Sequence, residues 1–287
     1  SLICLQLEQM WRVLGKPLQF WVIEVGAGNG LLARSILDYV GNLSGEFQKA
    51  MRYVAVDIGT AITKQGGNFE KVLASGLPFK RLVGCILSNE LVDAFPVHRF
   101  QVQEGKVQEI FVTYERDSDT FTEILEKPST PKLISRLPAN LPEGFRGEVN
   151  LGIDAWSNSL GAVLSEGFVL TVDYGDTKQE LYRANRSNGT LQCHYRHSTV
   201  NNPYLRLGQQ DITAHVDFSA LSEAGERAGL KNLGLVSQHC FLENLGAKVF
   251  LRELSSAARK SGVSRISQQE YLKNRSGMLN LLNPDGT

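Results

Sequence analysis

The segment Glu24-Val25-Gly26-Ala27-Gly28-Asn29-Gly30 carries the clearest chemistry in the chain. Its alternating glycines let backbone amides approach a ligand closely. A helical pattern starts directly after it, marked by Leu31, Leu32, Ile36, Leu37 and Val40 and closed by Gly41. The N-terminus of such a helix offers unpaired N–H groups and the positive end of a dipole. A buried run, Phe20 to Val25, leads in, so the loop is expected at the carboxyl end of a parallel strand, where nucleotide cofactors bind. The bland alternative is a plain tight turn. Asp57 ends a second apolar run, Tyr53 to Asp57, where a carboxylate can accept hydrogen bonds from both hydroxyls of a ribose.

A second group follows a third run, Leu82 to Leu87. Asn89, Glu90 and Asp93 are hard to place in a core, and the end of a strand faces the cofactor crevice of an open α/β sheet. The competing reading is a polar loop in which Asn89 or Asp93 caps a helical turn. His98 is either a general base or a histidine hydrogen-bonded within a loop. Asp173 and Tyr174 end a further strand pattern and are expected in a substrate wall, unless Tyr174 is only a tyrosine at the rim of the core. The spacing Cys193-His194-x-x-His197 suggests a metal superficially, but its histidines are too close to complete a tetrahedral set, so no metal is expected.

These groups must be positioned by the elements around them. The first 90 residues alternate helix (2 to 14), strand, helix, strand, a weaker helical stretch to about Leu73, and strand, which argues for parallel βαβ units. A meander follows: Val97 to Val102, Val107 to Tyr114 and Thr120 to Leu125, with turns at Glu104-Gly105 and Asp117-Ser118-Asp119. Prolines 128, 131, 138 and 142 make a loop-rich connection to a helix expected from about Glu148 to Leu164 and a buried strand, Gly167 to Tyr174. Residues 175 to 210 read as one long functional loop. Asp217 is expected to cap a helix reaching Gly229, and the rest reads as strand plus helices. The fold expected is therefore a doubly wound, mostly parallel α/β sheet: core at 1–96, an inserted meander and loop-rich region at 97–147, and the remaining core at 148–287, with the substrate-side loop at 175–210.

Composition narrows the partners. Thirty Lys and Arg balance thirty Asp and Glu, so no basic field attracts nucleic acid or an acidic membrane surface. The longest apolar runs are strand-length, far short of a membrane span. Four scattered cysteines without a C-x-x-C pair suit a reducing compartment. The chain opens inside an apolar helical pattern without Met and stops after apolar residues, so both ends read as incomplete.

The E-x-G-x-G-x-G core resembles motif I of class I methyltransferases, whereas the dinucleotide fingerprint would need a glycine where Leu31 stands. Four further stretches are similar, in order, to the MidA-like methyltransferase family: S-N-E-L-V-D-A-F-P-V-H from Ser88, V-D-Y-G from Val172, R-S-N-G-T-L-Q-C-H-Y-R-H from Arg186 and D-I-T-A-H-V-D-F from Asp211. This family includes a mitochondrial arginine methyltransferase that assists assembly of respiratory complex I. The resemblance implies a Rossmann-like class I fold with an inserted accessory region, S-adenosyl-L-methionine as donor and a protein arginine as acceptor. It also implies a cytoplasmic protein, or a mitochondrial matrix protein in a eukaryote, and leaves a homodimer open.

Glu24, Gly26, Gly28, Gly30, Asp57 and Asn89 are then the candidate cofactor residues. Glu90 and Asp93 are the candidate catalytic carboxylates, because bidentate contacts can hold a guanidinium and localise its electron density. Tyr174, His98 and His215 are placed with the acceptor. Arg186, His194, His197 and Asp217 belong to the motifs without a derived role. Three departures from the family stand out: a missing upstream segment, aspartate at position 57 where many members have glutamate, and a closing strand that looks incomplete after Pro284. The alternatives are a methyltransferase of a small molecule and a non-catalytic cofactor-binding assembly protein.

Overall fold

The computed structural model describes residues 2–59, 69–196, 198–200, 202–252 and 268–282. Helix α1 (Leu2–Val13) buries Leu7, Met10 and Trp11, and the Trp11 indole donates to the Pro17 carbonyl at 2.9 Å, tying down the turn that follows. Strand β1 (Phe20–Val25) leads into α2 (Leu31–Val40), a short helix α3 (Gly45–Ala50) capped by Ser44, and β2 (Met51–Asp57).

Phe69–Leu73 forms strand β3 beside β2, correcting the helix expected up to about Leu73. Glu70 and Lys71 interrupt its apolar run, and β3 lies at the edge of the sheet, where charged residues are tolerated. The earlier part of that expected helix, 60–68, lies outside the described residues. Strand β4 (Leu82–Asn89) then runs through the sheet with Cys85, Ile86 and Leu87 buried.

The meander appears as β5 (His98–Gln103), β6 (Lys106–Glu115) and β7 (Thr120–Glu126). Helix α4 (Pro131–Arg136) precedes β8 (Arg146–Val149), which pairs antiparallel with β5 and completes a four-stranded sheet in the order β7-β6-β5-β8. The helix expected from about Glu148 therefore begins only at α5 (Gly152–Val163). Pairing to β5 fixes residues 146–149 as strand, and Phe100, Phe145 and Val149 form the accessory core.

Strand β9 (Leu164–Val172) returns to the main sheet, whose order is β3-β2-β1-β4-β9 with every pair parallel. This is the doubly wound arrangement, and its order reverses between β1 and β4. One face packs Phe20, Val22, Ile36, Phe47 and Tyr53; the other packs Ile23, Val54, Ile86, Trp156 and Leu160. Strands buried on both faces carry the near-continuous apolar runs by which they are recognised.

Residues 175–210, expected as one loop, contain β10 (Gly175–Asp176), α6 (Lys178–Leu181), β11 (Gln192–Tyr195) and β12 (Ser198–Val200). Next come β13 (Asp211–Thr213) and β14 (Val216–Asp217), with sheets β12-β11-β13 and β10-β14. Helix α7 (Phe218–Arg227) begins as expected, with the Asp217 carboxylate accepting from Ala220 N at 2.9 Å. Helices α8 (Gln238–Asn244) and α9 (Gln268–Leu281) follow, and no strand occurs after β14 among the described residues, where strand plus helices were expected. No described helix is long and apolar enough to cross a membrane.

A charged clamp fastens the 198–210 region to the accessory sheet. Glu123 on β7 accepts from Arg99 at 2.5 Å, from Tyr204 Oη at 2.8 Å and from Arg146. Burial opposes ionisation of Glu123, but Arg99, Tyr204 and Arg146 outweigh it and hold the carboxyl at about 2, below its ordinary 4.5. A carboxyl depressed in the folded state stabilises above its unfolded value, and that stabilisation disappears as pH falls through the folded one. Glu123→Gln should therefore cost about 1 kcal/mol at neutral pH, or about 2–4 °C in melting temperature. Melting curves of the two proteins should converge as pH falls from 4.5 toward about 2.

Candidate functional site

Because all five main strands run the same way, their carboxyl ends share one edge. Val25 on β1 lies beside Val56 and Ser88, and Asn89 lies beside Val172. One residue further on, this register brings Gly26, Asp57, Asn89 and Asp173 to the same edge.

Gly26, Gly28 and Gly30 have φ of 72, 53 and 76°, in the left-handed region that favours glycine. Their reasons differ. A Cβ on Gly26 would stand 2.8 Å from Leu91 Cδ1, so this glycine lets the loop pack on the Ser88–His98 segment. A Cβ on Gly28 would meet nothing within 4 Å among the described residues, which leaves an open face on the loop. Asp57 shapes that loop directly: Oδ2 accepts from Gly28 N and Oδ1 from Gly59 N, both at 2.7 Å. Helix α2 starts at Gly30 without a side-chain cap, although Asn29 Oδ1 takes Leu31 N at 3.2 Å.

Glu24 lies beneath the loop rather than in it, 3% exposed, with the Tyr53 hydroxyl donating to Oε2 at 2.7 Å. Burial raises its carboxyl to about 7; the Tyr53 hydrogen bond opposes this and the charge on Asp57 adds to it.

At the end of β4, Glu90 takes a left-handed conformation with φ 50° and donates its N–H to Val172 O at 2.9 Å. Asp93 is buried, and its Oδ1 has no hydrogen-bond partner among the described residues. Burial, then the neighbouring Asp173 and Glu90, lift its carboxyl to about 6. The phenol of Tyr174 is also pushed up, first by burial and then by the charge on Glu90.

Glu90, Asp93 and Tyr174 share a cleft of ≈ 940 Å³ with His194, Asp211 and His215. Among the described residues, no Lys or Arg lines it. The cleft is acidic, a setting that attracts a cation. His215 donates its backbone N–H to Thr190 Oγ1 at 3.0 Å, and its Nδ1 has no partner among the described residues. Burial and the charge on Arg186 depress its imidazole, so the neutral form prevails at neutral pH.

His98 stands apart from this group. It lies on β5 with Nδ1 2.6 Å from Glu109 Oε1, and it does not line the cleft. Glu109 also accepts from Ser129 N at 2.5 Å, so the pair braces the accessory sheet against the turn before α4. Among the described residues no group of His, Cys, Asp and Glu could hold a metal ion; His197 lies outside them.

Sequence reasoning missed Glu148. Its carboxylate accepts from Thr190 N at 2.7 Å and from Thr190 Oγ1 at 3.1 Å, and Thr190 Oγ1 in turn holds His215. Glu148 thus holds Thr190, which joins the Arg186 stretch to the Asp211 stretch. The one available signal was a charged residue within the alternating run Arg146 to Val149.

A family model described as "Putative S-adenosyl-L-methionine-dependent methyltransferase" matches residues 2–236. Among curated relatives, the mitochondrial protein arginine methyltransferase NDUFAF7 homolog of Drosophila melanogaster is 25% identical over 297 residues, covering 90% of this chain and 64% of that protein. Human mitochondrial protein arginine methyltransferase NDUFAF7 is 25% identical over 292 residues, covering 91% of this chain and 64% of that protein. The chain thus spans 64% of the length of both relatives. Two crystal structures of one superfamily from Burkholderia thailandensis are also similar. An uncharacterized native protein superposes with TM-score 0.79 at 28% identity, over 98% of this chain and 72% of that one. A second member, bound to S-adenosyl-homocysteine, gives TM-score 0.78 at 27% identity, over 98% and 70%.

Proposed function

This chain belongs to the S-adenosyl-L-methionine-dependent methyltransferase family, and on that premise we propose that it methylates a cationic acceptor, a protein arginine side chain. The observation that carries the proposal is the acidic cleft of Glu90, Asp93 and Tyr174, on a turn whose Leu91 packs against Gly26 of the glycine loop. Names of the fly and human relatives support arginine as the acceptor, and the word mitochondrial in both supports a mitochondrial protein if the source is eukaryotic.

The residues present fit the cofactor. Gly26, Gly28 and Gly30 would carry its amino-acid end, with Asp57 and Asn89 on the nucleoside side and Glu24 supporting the loop from below. When bound, S-adenosyl-L-methionine supplies a methyl group on a positively charged sulfur. Alignment is the larger part of what a protein adds to such a displacement. Here Glu90 and Asp93 would accept hydrogen bonds from the guanidinium, fixing its approach and leaving electron density on the reacting nitrogen. That nitrogen must lose a proton as it gains a carbon substituent. The Asp93 carboxyl, lifted to about 6 and at the cleft, would be the acceptor for it.

The test is transfer of tritium from methyl-labelled cofactor to an arginine-rich peptide, a lysine-rich peptide and a panel of small amines and phenols. Label recovered as methylarginine is the expected outcome. Label confined to the small molecules overturns the acceptor, and cofactor binding without any labelling overturns the enzymatic reading in favour of an assembly protein.

A further inference from the structure

The acceptor carboxylates sit on a turn held by a side chain that does not line the cleft. We propose that Asp173 is a positioning residue, whose carboxylate winds residues 90–93 into the conformation that presents Glu90 and Asp93. This rests on the reading of those two carboxylates as acceptor-facing.

Three successive backbone N–H groups converge on one oxygen. Asp173 Oδ2 accepts from Leu91 N at 3.2 Å, Val92 N at 2.8 Å and Asp93 N at 3.4 Å, and Oδ1 accepts from Tyr174 N at 2.9 Å. Convergent amides of this kind form a nest for an anion. Elsewhere such a nest takes a ligand; here the protein fills it with its own carboxylate. The carbonyls of the turn are held separately, Val92 O by Asn150 Nδ2 at 3.2 Å and Asp93 O by Ala214 N at 3.0 Å. Glu90, at φ 50°, occupies a conformation that glutamate keeps only where its surroundings hold it. The β4–β9 register, with Asn89 beside Val172, delivers Asp173 to the turn. An asparagine in its place would accept through one oxygen only and turn its amide hydrogens on backbone donors.

The experiment compares calorimetric affinities for S-adenosyl-homocysteine and sinefungin, which carries an ammonium group where the donor carries its methyl. In the unaltered chain sinefungin should bind about tenfold tighter or more, the worth of a charge-assisted contact. Asp173→Asn should erase that preference and leave S-adenosyl-homocysteine affinity within about twofold. Should Asp173→Asn fail to fold, Asp173→Glu keeps the charge but displaces the turn, and should erase most of the preference. Retention of the preference in a folded variant overturns the proposal, as does an equal loss for both ligands, which would assign Asp173 to the cofactor site. Absence of any preference in the unaltered chain, with S-adenosyl-homocysteine bound, removes the acceptor-facing reading of Glu90 and Asp93 and this proposal with it. If neither ligand binds, the functional reading itself fails.

Discussion

Glutamine in place of Glu90 is expected to slow methyl transfer by about a hundred- to a thousand-fold, the range lost with one preorganised electrostatic contact, while cofactor affinity stays within about twofold. The substitution is isosteric, and the backbone of residue 90 is held by the Val172 carbonyl rather than by its own side chain. What it removes is the charge that would face a guanidinium. A second consequence separates this reading from simple damage. The negative charge of Glu90 is one of the forces lifting the carboxyl of Asp93 to about 6, after burial and Asp173. Without it, ionised Asp93 becomes easier to form and its titration moves down. The acid limb of the pH–rate profile of any residual activity should therefore shift to lower pH. A comparable loss of S-adenosyl-homocysteine affinity would instead place Glu90 among the cofactor residues.

Valine at position 28 is expected to weaken cofactor binding by at least about a hundredfold, with turnover lost in proportion and the fold intact. Two effects combine. At φ 53°, a side chain is strained, at a cost of about 1–2 kcal/mol. Its branched methyl groups would also fill the open face of the loop, since nothing among the described residues lies within 4 Å of a Cβ there. The same emptiness means that no core packing is disturbed, so melting should fall by only a few degrees, roughly in line with the strain. Gly26 is a useful contrast. A side chain there meets Leu91 at 2.8 Å, so Gly26→Val should damage stability and the Glu90 turn together. If Gly28→Val binds S-adenosyl-homocysteine normally, the cofactor lies elsewhere.

The parts of this architecture legible in the sequence are those whose burial is complete. Strands β1, β2 and β4 are covered on both faces and leave near-continuous apolar runs, and the glycine loop and Asp57 stand at their ends. Strand β3 escaped notice because an edge strand can carry Glu70 and Lys71. Strand β8 escaped because four residues are too few to show a period, and because Glu148 spends its charge on Thr190, forty-two positions away. The short strands between Gly175 and Asp217 depend on one another for pairing and have no independent signature.

Site residues divide in the same way. Glu90, Asp93, Tyr174 and His215 come together in one cleft. His98, next to them in the chain, is drawn away by a cross-strand partner, Glu109, that only the β5–β6 hairpin brings near. Asp173 could be placed at a strand end by pattern alone, but its grip on residues 91–93 depends on the β4–β9 register, which no local feature announces.

The most direct measurement is a calorimetric titration of the chain with S-adenosyl-homocysteine at neutral pH. The account predicts saturable binding at one site per chain with micromolar affinity, abolished by Gly28→Val and preserved in Glu90→Gln. A folded protein that releases no heat and shows no thermal stabilisation at millimolar ligand would contradict it, because the loop, Asp57 and the strand ends would then be a cofactor cradle in shape alone.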